Sequence, residues 1–565
     1  MEKIWLKSYR KDVPPEIKFD EITLSEALTK SASTFPDNPA LLFQGTTVTF
    51  RELDNLVNRF ASSLIALGLK PGDRVATLLP NLVQMVVAVY GAFRAGAIAV
   101  TNNPLYTDRE LEHQFNDSGS TFLVSLDLFV PRMIDLRKKT GITSIVSCHI
   151  GDYLPSPMNN PEILAKMGMH LKTPPAKDVF EFTDLVKDSV SSLQFPKRPW
   201  DDTACLLYTG GTTGLSKGVQ LTHKNLSCNV QQTIAWFPDF NLGAERVVGC
   251  LPFFHSFGMT SAMNTAIFYG YSNALVPKPE PKTILEAIEK FKVTFISAVP
   301  TMYNGMINYP ELNKYDLSSL KGCFSGGAPL PMETIIKFKE LTGIEICEGY
   351  GLTESSPTTH VNPYGAKTKP GSIGLPFCNT DAKIVDVNDY EKEVTSPGTP
   401  GELCVKGPQV MKGYINRPEE TDMTLKDGWL LTGDIAVFDE EGYFSIVDRK
   451  KDMIISGGYN IYPRDVDEVL FSHPKVLEAC AIGIPDAYSG ERVKAFVVLK
   501  AGEHATESEI IEFCKQNLAK YKVPKYVEFI ESLPKSAIGK ILRKELRRLE
   551  LENKQGDAKL EQVGN

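Results

Sequence analysis

Between Tyr208 and Gly218 the chain runs Tyr-Thr-Gly-Gly-Thr-Thr-Gly-Leu-Ser-Lys-Gly, with four glycines, three threonines, one serine and one lysine. The apolar run Ala204 to Leu207 precedes it and the alternating segment Val219 to Leu221 follows. A loop between two strands is therefore predicted. Glycines let backbone N–H groups approach an anion, hydroxyls add donors and Lys217 adds a positive charge, so the loop suits a polyphosphate. It is not a Walker A loop, which needs Gly-Lys-Ser/Thr in succession, because Lys217 stands between Ser216 and Gly218. A glycine-rich turn by itself is ordinarily a plain hairpin. Here the density of hydroxyls and the lysine favour a nucleotide loop.

At 565 residues there is room for a large α/β core and at least one further domain. A net charge of −8 and a pI near 5.7 argue against a dedicated nucleic-acid binder. The ten cysteines are scattered, with Cys228 and Cys250 the closest pair, so neither a zinc knuckle nor a redox dithiol is expected. They read as reduced core residues of a cytoplasmic protein. Met1 to Asp20 carries Lys3, Lys7, Arg10 and Lys11 without an apolar core region, unlike a signal peptide. Val247 to Pro277 holds no Asp, Glu, Lys or Arg and is long enough to span a bilayer. However, Pro252, His255, Asn264 and Asn273 make it a poor lipid-facing helix, and a buried wall of the large domain is the better expectation.

Leu24 to Phe35 reads as a helix, and Thr49-Phe-Arg-Glu52 has the spacing of a capping box. Leu53, Leu56, Val57, Phe60 and Leu64 follow at helical intervals, before a strand at Arg74 to Leu79, a helix from Leu82 and a strand near Ala97 to Val100. Strands alternating with helices predict a layered α/β domain with parallel sheet. Met158 to Pro199 has no clear pattern and reads as a solvated surface excursion; contact with a membrane surface is the sharper alternative. From Asp452 onward the pattern changes to a hairpin through Ser456 and Tyr459, a helix at Arg464 to Phe471, strands at Ala479 to Ile484 and Ala495 to Leu499, and a helix at Glu507 to Leu518. That predicts a separate, small α+β domain.

Thr209-Gly-Gly-Thr-Thr-Gly214 with Lys217-Gly218 resembles the phosphate loop of the adenylate-forming enzymes, a superfamily of AMP-forming acyl-CoA synthetases, luciferases and peptide-synthetase adenylation domains. Phe324-Ser-Gly-Gly-Ala-Pro-Leu330, Glu348-Gly-Tyr-Gly-Leu-Thr-Glu354, Gly428-Trp-Leu-Leu-Thr-Gly-Asp434 and Leu533-Pro-Lys-Ser-Ala-Ile-Gly-Lys540 follow in the family's order. Asn103 to Gly119 is similar to a stretch of bacterial long-chain fatty acyl-CoA synthetases, which narrows the resemblance to one branch. The fold so implied has an N-terminal adenylation domain over 1–450 and a mobile C-terminal domain over 451–565, hinged at Lys451.

The resemblance also implies residue roles. ATP or AMP would contact Thr209, Gly210, Gly211, Thr212, Thr213, Gly214 and Lys217, with adenine between Tyr350 and the Gly326, Gly327, Ala328 turn. Gly349, Gly351, Leu352 and Ile446 would complete the nucleotide contacts, with Thr353 on the α-phosphate and Arg449 on the nucleotide. Asp434 would accept from the ribose hydroxyls, as a carboxylate can from two donors. Thr209 and Glu354 would hold Mg²⁺, which takes hard oxygen ligands and usually only one or two carboxylates. His255 would border the acyl entrance, Phe257, Met259 and Met263 would line a charge-free acyl tunnel, and Ser456, Gly457 and Gly458 would face the CoA tunnel. Lys540 would be the adenylation lysine, neutralising charge on the α-phosphate. The family commonly has a lysine four residues beyond the hinge; Ile455 stands there, and no role is carried onto it.

The activity implied is ligation of a fatty acid to CoA through an acyl-adenylate, with ATP, Mg²⁺, CoA and the fatty acid as cofactors and substrates. Ligation of aromatic or alicyclic acids, or transfer to a carrier protein, are the near alternatives. A P-loop kinase is disfavoured by Ser216 before Lys217, and a non-enzymatic lipid or CoA sensor by the presence of Lys540, Glu354 and Asp434 together. Monomer and homodimer both remain open, and peripheral contact with the inner face of the membrane is compatible with the composition.

Overall fold

The computed structural model describes residues 3–187, 194–209, 216–456, 459–486, 489–536 and 541–552. Four sheets organise the described residues. The first has eight strands and is parallel from Thr203–Thr209 through Ile98–Thr101, Arg74–Leu78, Phe122–Leu126 and Ser144–Cys148 to Val179–Glu181. Lys217–Thr222 and Gly413–Tyr414 extend its other edge in antiparallel fashion. The second sheet has nine strands, with a parallel centre of Ile346–Gly351, Gly322–Ser325, Phe295–Ala298, Arg246–Gly249, Ser272–Leu275 and Pro39–Phe43. The third has five antiparallel strands between Asp381–Val385 and Phe444–Arg449. The fourth, also five-stranded, begins at Ile454–Ser456.

The helix Val83–Arg94 is buried along its whole length. A helix apolar on every side needs cover on every side, and residues of both large sheets share one hydrophobic core with it. Local signals set its neighbours. Thr49 accepts from Glu52 N while the Glu52 carboxylate accepts from Thr49 N, so the expected capping box opens the helix Phe50–Ala66. Thr107 and Glu110 repeat the device at Asp108–Ser118.

The charge-free stretch becomes the strand Arg246–Gly249, a continuous helical rod over 256–269 with one π-helical section, Met259–Asn264, and the strand Ser272–Leu275. Both strands lie inside the second sheet and Met259 to Ile267 are buried, so the stretch is an internal wall. Among the described residues no helix is long and apolar enough to cross a membrane. All ten cysteines are buried free thiols.

Two expectations need correction. Met158 to Pro199 is not one solvated excursion: Val179–Glu181 forms the edge strand of the first sheet, in register with Ile145 to Ser147, and Phe182 is buried beneath it. Three residues are too few for a periodic signal, and pairing with a preformed edge supplies what periodicity does not. The small domain also has a strand not expected from sequence, Tyr526–Phe529, parallel to Gly490–Leu499.

Candidate active site

The second sheet supplies the centre of the site. Gly322–Ser325 and Ile346–Gly351 are parallel neighbours, with Ser325 opposite Glu348, so the two glycine-rich segments that follow emerge side by side. Beyond Ile346–Gly351 the sheet turns antiparallel. The carboxyl ends of the parallel strands are where ligands of α/β sheets bind. At Gly326 a Cβ would sit 3.3 Å from the Phe257 ring, and Phe257 meets Phe324 edge-on at 5.2 Å. The expected adenine turn and the first expected acyl-wall residue therefore share a boundary. Gly351 is tighter: a Cβ there would lie 1.8 Å from the Pro357 carbonyl oxygen.

The third sheet meets the second at this point. Asp434 and Arg449 stand opposite each other on adjacent antiparallel strands. The Tyr350 hydroxyl donates to Asp434 Oδ2 at 2.5 Å, and Arg449 Nε pairs with Asp434 Oδ1 at 3.0 Å. Burial and the Asp434 charge push the Tyr350 phenol well above its ordinary value, so it donates as a neutral hydroxyl. Asp434 conversely raises the Arg449 guanidinium. Ile446, three residues before Arg449, is half-buried and gives its carbonyl to Arg464 Nη1.

The hairpin Thr203–Thr209 with Lys217–Thr222 sets Thr209 opposite Lys217, at the two ends of the expected phosphate loop. Gly210, Gly211, Thr212, Thr213 and Gly214 lie outside the described residues. The outgoing leg is held from the side: His113 Nε2 lies 2.8 Å from Ser216 O, and Gln114 donates to Ser216 Oγ at 3.3 Å. Tyr208 donates to Asp117 at 3.0 Å. The helix Asp108–Ser118, within the stretch that narrowed the resemblance, is thus a buttress for this loop.

Lys217 makes an ion pair with Glu420, and its ammonium lies 5.1 Å from the centre of the Tyr414 ring. Tyr414 in turn donates to Glu354 Oε1 at 2.8 Å. This path ties the hairpin to the segment carrying Thr353 and Glu354. Tyr414 and Glu420 were not singled out from sequence. The only signal for Tyr414 is its glycine-punctuated setting, and Glu420 sits in a polar helix start, Pro418–Thr424, that looks like surface.

Thr353 Oγ1 lies 3.5 Å from Ser256 Oγ, so the end of the nucleotide segment touches the start of the charge-free wall. His255 is half-buried, and its Nδ1 accepts from Phe257 N at 3.2 Å, capping the helical rod. Met259 and Met263 are fully buried along it. The described site residues of the second and third sheets and of the hairpin are therefore joined by contacts. Lys540, Gly457 and Gly458 lie outside the described residues; Ser456 is buried where Ile454–Ser456 meets Gly490–Leu499. Lys451 is exposed in the turn between the third and fourth sheets, where Asp452 N and Met453 N both donate to Arg449 O.

A glycine-rich turn, a contacting tyrosine–carboxylate–arginine set and a hydroxyl-rich hairpin together are the architecture of a nucleotide-activating enzyme, and family comparison agrees. The AMP-binding enzyme family matches residues 28–415 and the AMP-binding enzyme C-terminal domain matches 465–540, so the chain belongs to the AMP-binding enzyme family. It is 46% identical over 555 residues to the long-chain-fatty-acid–CoA ligase of Bacillus subtilis (strain 168), covering 98% of this chain and 99% of that one. Among solved structures, ATP-bound MatB from Rhodopseudomonas palustris superposes with a TM-score of 0.82 at 30% identity, over 94% of this chain and 99% of that one. The o-succinylbenzoate CoA synthetase of Bacillus subtilis, in complex with ATP and magnesium, gives 0.76 at 31% identity, over 92% and 99%.

Proposed function

We propose that the chain is a long-chain fatty acid–CoA ligase that works through an acyl-adenylate. The contact between Thr353 and Ser256 carries this reading. A carboxylate arriving along the wall of Phe257, Met259 and Met263 reaches the nucleotide segment at that point, and its alkyl chain stays among residues with no charge to desolvate. The near full-length likeness to a long-chain-fatty-acid–CoA ligase supports the choice of acid.

In the first half-reaction a carboxylate oxygen attacks the α-phosphorus and pyrophosphate leaves. Tyr350 offers a ring face to adenine opposite Gly326 to Ala328. Asp434, oriented by Tyr350 and Arg449, accepts from the ribose hydroxyls. Thr353 and Lys217 hold phosphate oxygens, Lys217 exchanging its partner Glu420 for the nucleotide. The oxygen donors Glu354 and Thr209 fit Mg²⁺, and Tyr414 fixes one Glu354 oxygen. When bound, Mg²⁺ supplies charge neutralisation to the phosphates. Lys540 adds charge at the α-phosphate.

In the second half-reaction the CoA thiol attacks the acyl carbonyl and AMP leaves. The residues after 450 form the mobile domain, turning about Lys451 to withdraw Lys540 and to present Ser456, Gly457 and Gly458. Exposed Met158, Ile163, Met167 and Leu171 make 158–171 the place where this enzyme would touch a membrane that holds its substrate. Liposome co-sedimentation with those four side chains replaced by serine should fall.

Purified chain offered short, long and aromatic acids should exchange labelled pyrophosphate into ATP with long-chain acids and release AMP only with CoA present. Release of ADP with every acid would refute adenylation. Preference for aromatic acids, or a carrier protein replacing CoA, would favour a sibling ligase.

A further inference from the structure

Three side chains that take no part in the site above converge beside the first sheet. Asp127 directly follows the strand Phe122–Leu126, His149 directly follows Ser144–Cys148, and His170 lies between the helix Pro161–Lys166 and the edge strand Val179–Glu181. His149 Nδ1 is 2.8 Å from Asp127 Oδ2 and 3.0 Å from His170 Nδ1, and His170 Nδ1 is 3.1 Å from the same Asp127 oxygen. Asp127 is fully buried and both histidines are half-buried.

Hydrogens alone leave one edge of this triangle without a hydrogen bond of its own. Asp127 accepts from Leu128 N on Oδ1 and from Leu171 N on Oδ2, each at 2.8 Å. A ring nitrogen either carries a hydrogen or presents a lone pair. If both Nδ1 atoms carry hydrogens, these face each other along the His149–His170 edge. If one does, the other's lone pair faces the carboxylate oxygen. If neither does, every edge sets lone pair against lone pair. A cation at the centre takes a lone pair from all three. Ligand bonds to tetrahedral zinc of about 2.0–2.2 Å place donors roughly 3.3 Å apart, so the observed triangle needs to open by only a few tenths of an ångström.

A second observation points the same way. His149 Nε2 lies 2.8 Å from Glu181 Oε2. A carboxylate behind a ligating histidine fixes the hydrogen on the outer nitrogen and turns the inner lone pair toward the metal. The backbone of His149 is anchored as well, donating to Asp152 at 3.0 Å, while Gln84 holds the same Asp152 oxygen at 2.9 Å.

We propose that Asp127, His149 and His170 bind one divalent transition-metal ion, Zn²⁺ by preference, which clips the segment 154–178 to the end of the first sheet. Two imidazoles and one carboxylate suit zinc and its neighbours in the first transition row, whereas Mg²⁺ prefers all-oxygen sites. Water completes the coordination. The clip is a folding device for a segment that contains little regular structure.

The test uses the full-length chain, stripped with chelator, dialysed against Zn²⁺ or Co²⁺ and assayed for retained metal. One equivalent is expected, with visible-region absorption from Co²⁺ and slower proteolysis within 154–178. His170→Ala, on the outer segment and away from the core, should abolish retention. Glu181→Gln should weaken binding about 10- to 100-fold. No retained metal, or equal retention by His170→Ala, overturns the proposal and leaves the cluster as a hydrogen-bonded network. Wild-type affinity in Glu181→Gln overturns the orienting role.

Discussion

Asp434 shows how far a single residue reaches in this site. It receives a hydroxyl from Tyr350 and an ion pair from Arg449, so one carboxylate positions both the proposed adenine platform and the proposed nucleotide-binding cation. Asp434→Asn weakens both contacts, and the Kd for ATP is expected to rise about 10- to 100-fold, measured by calorimetry. Glu420 acts in the opposite sense, since it pairs with Lys217, the side chain proposed to hold phosphate oxygens. Glu420→Gln should lower the KM for ATP by about two- to fivefold, the scale of a partly exposed ion pair; an unchanged KM would mean that Lys217 does not exchange partners.

Glu348 is a stability element beside the nucleotide segment. Burial pushes its carboxyl up to about 7, against the opposing influences of Leu330 N and Arg464, and its Oε2 has no hydrogen-bond partner. With the folded pKa above the unfolded one, the native state binds the extra proton between about pH 4.5 and 7. Stability therefore falls as pH rises through that window and stays lower above it. Glu348→Gln should be neutral at pH 5 and stabilising at pH 8, by a difference on the order of 3 kcal/mol, read from denaturant unfolding at the two pH values.

At the scale of elements, the helical rod over 256–269 and the turn after Ile346–Gly351 leave little freedom. Gly351→Ala drives a methyl into the Pro357 carbonyl, with a Cβ contact of 1.8 Å. A loss of about 3 kcal/mol or more is expected, seen as a lower unfolding midpoint. Met263 lies on the rod, fully buried in the charge-free wall. Met263→Trp should shift the preferred acid toward shorter chains in the acid panel; an unmoved profile would remove Met263 from the tunnel. The rod was legible as a buried apolar wall because charges are missing from it. Its π-helical section was not, since one wider turn leaves no mark in composition.

At the scale of the molecule, the small domain is tied to the large one by identifiable contacts. Arg464 N donates to Asp448 at 2.7 Å and its guanidinium reaches Ile446 O, and just past the turn Arg547 pairs with Asp452 at 2.7 Å within the small domain. If that turn is the hinge, Lys451→Pro should spare pyrophosphate exchange more than thioester formation. Lys540→Ala should do the reverse, cutting adenylation about 10²- to 10³-fold while sparing thioester formation from supplied acyl-AMP. Equal loss of both half-reactions in either variant would contradict the division of labour.

The sequence by itself determined the layered α/β class, the capping box that starts the helix Phe50–Ala66, the buried wall and the small second domain. These follow from periodicity, capping chemistry and missing charge, all of which act over a few consecutive residues. It also marked out Tyr350, Thr353, Glu354, Asp434 and Arg449 as site candidates, through motifs that are each continuous in the chain. Only the tertiary structure decided which of these touch. Tyr350 and Asp434 are 84 positions apart, Tyr414 and Glu354 are 60 apart, and Thr353 and Ser256 are 97 apart. Contacts across such separations depend on sheet register and on which strands become neighbours, and no local pattern encodes either one. The same holds for Asp127, His149 and His170, three unremarkable residues in sequence: parallel pairing sets the first two at neighbouring strand ends, and the returning segment brings His170 to them.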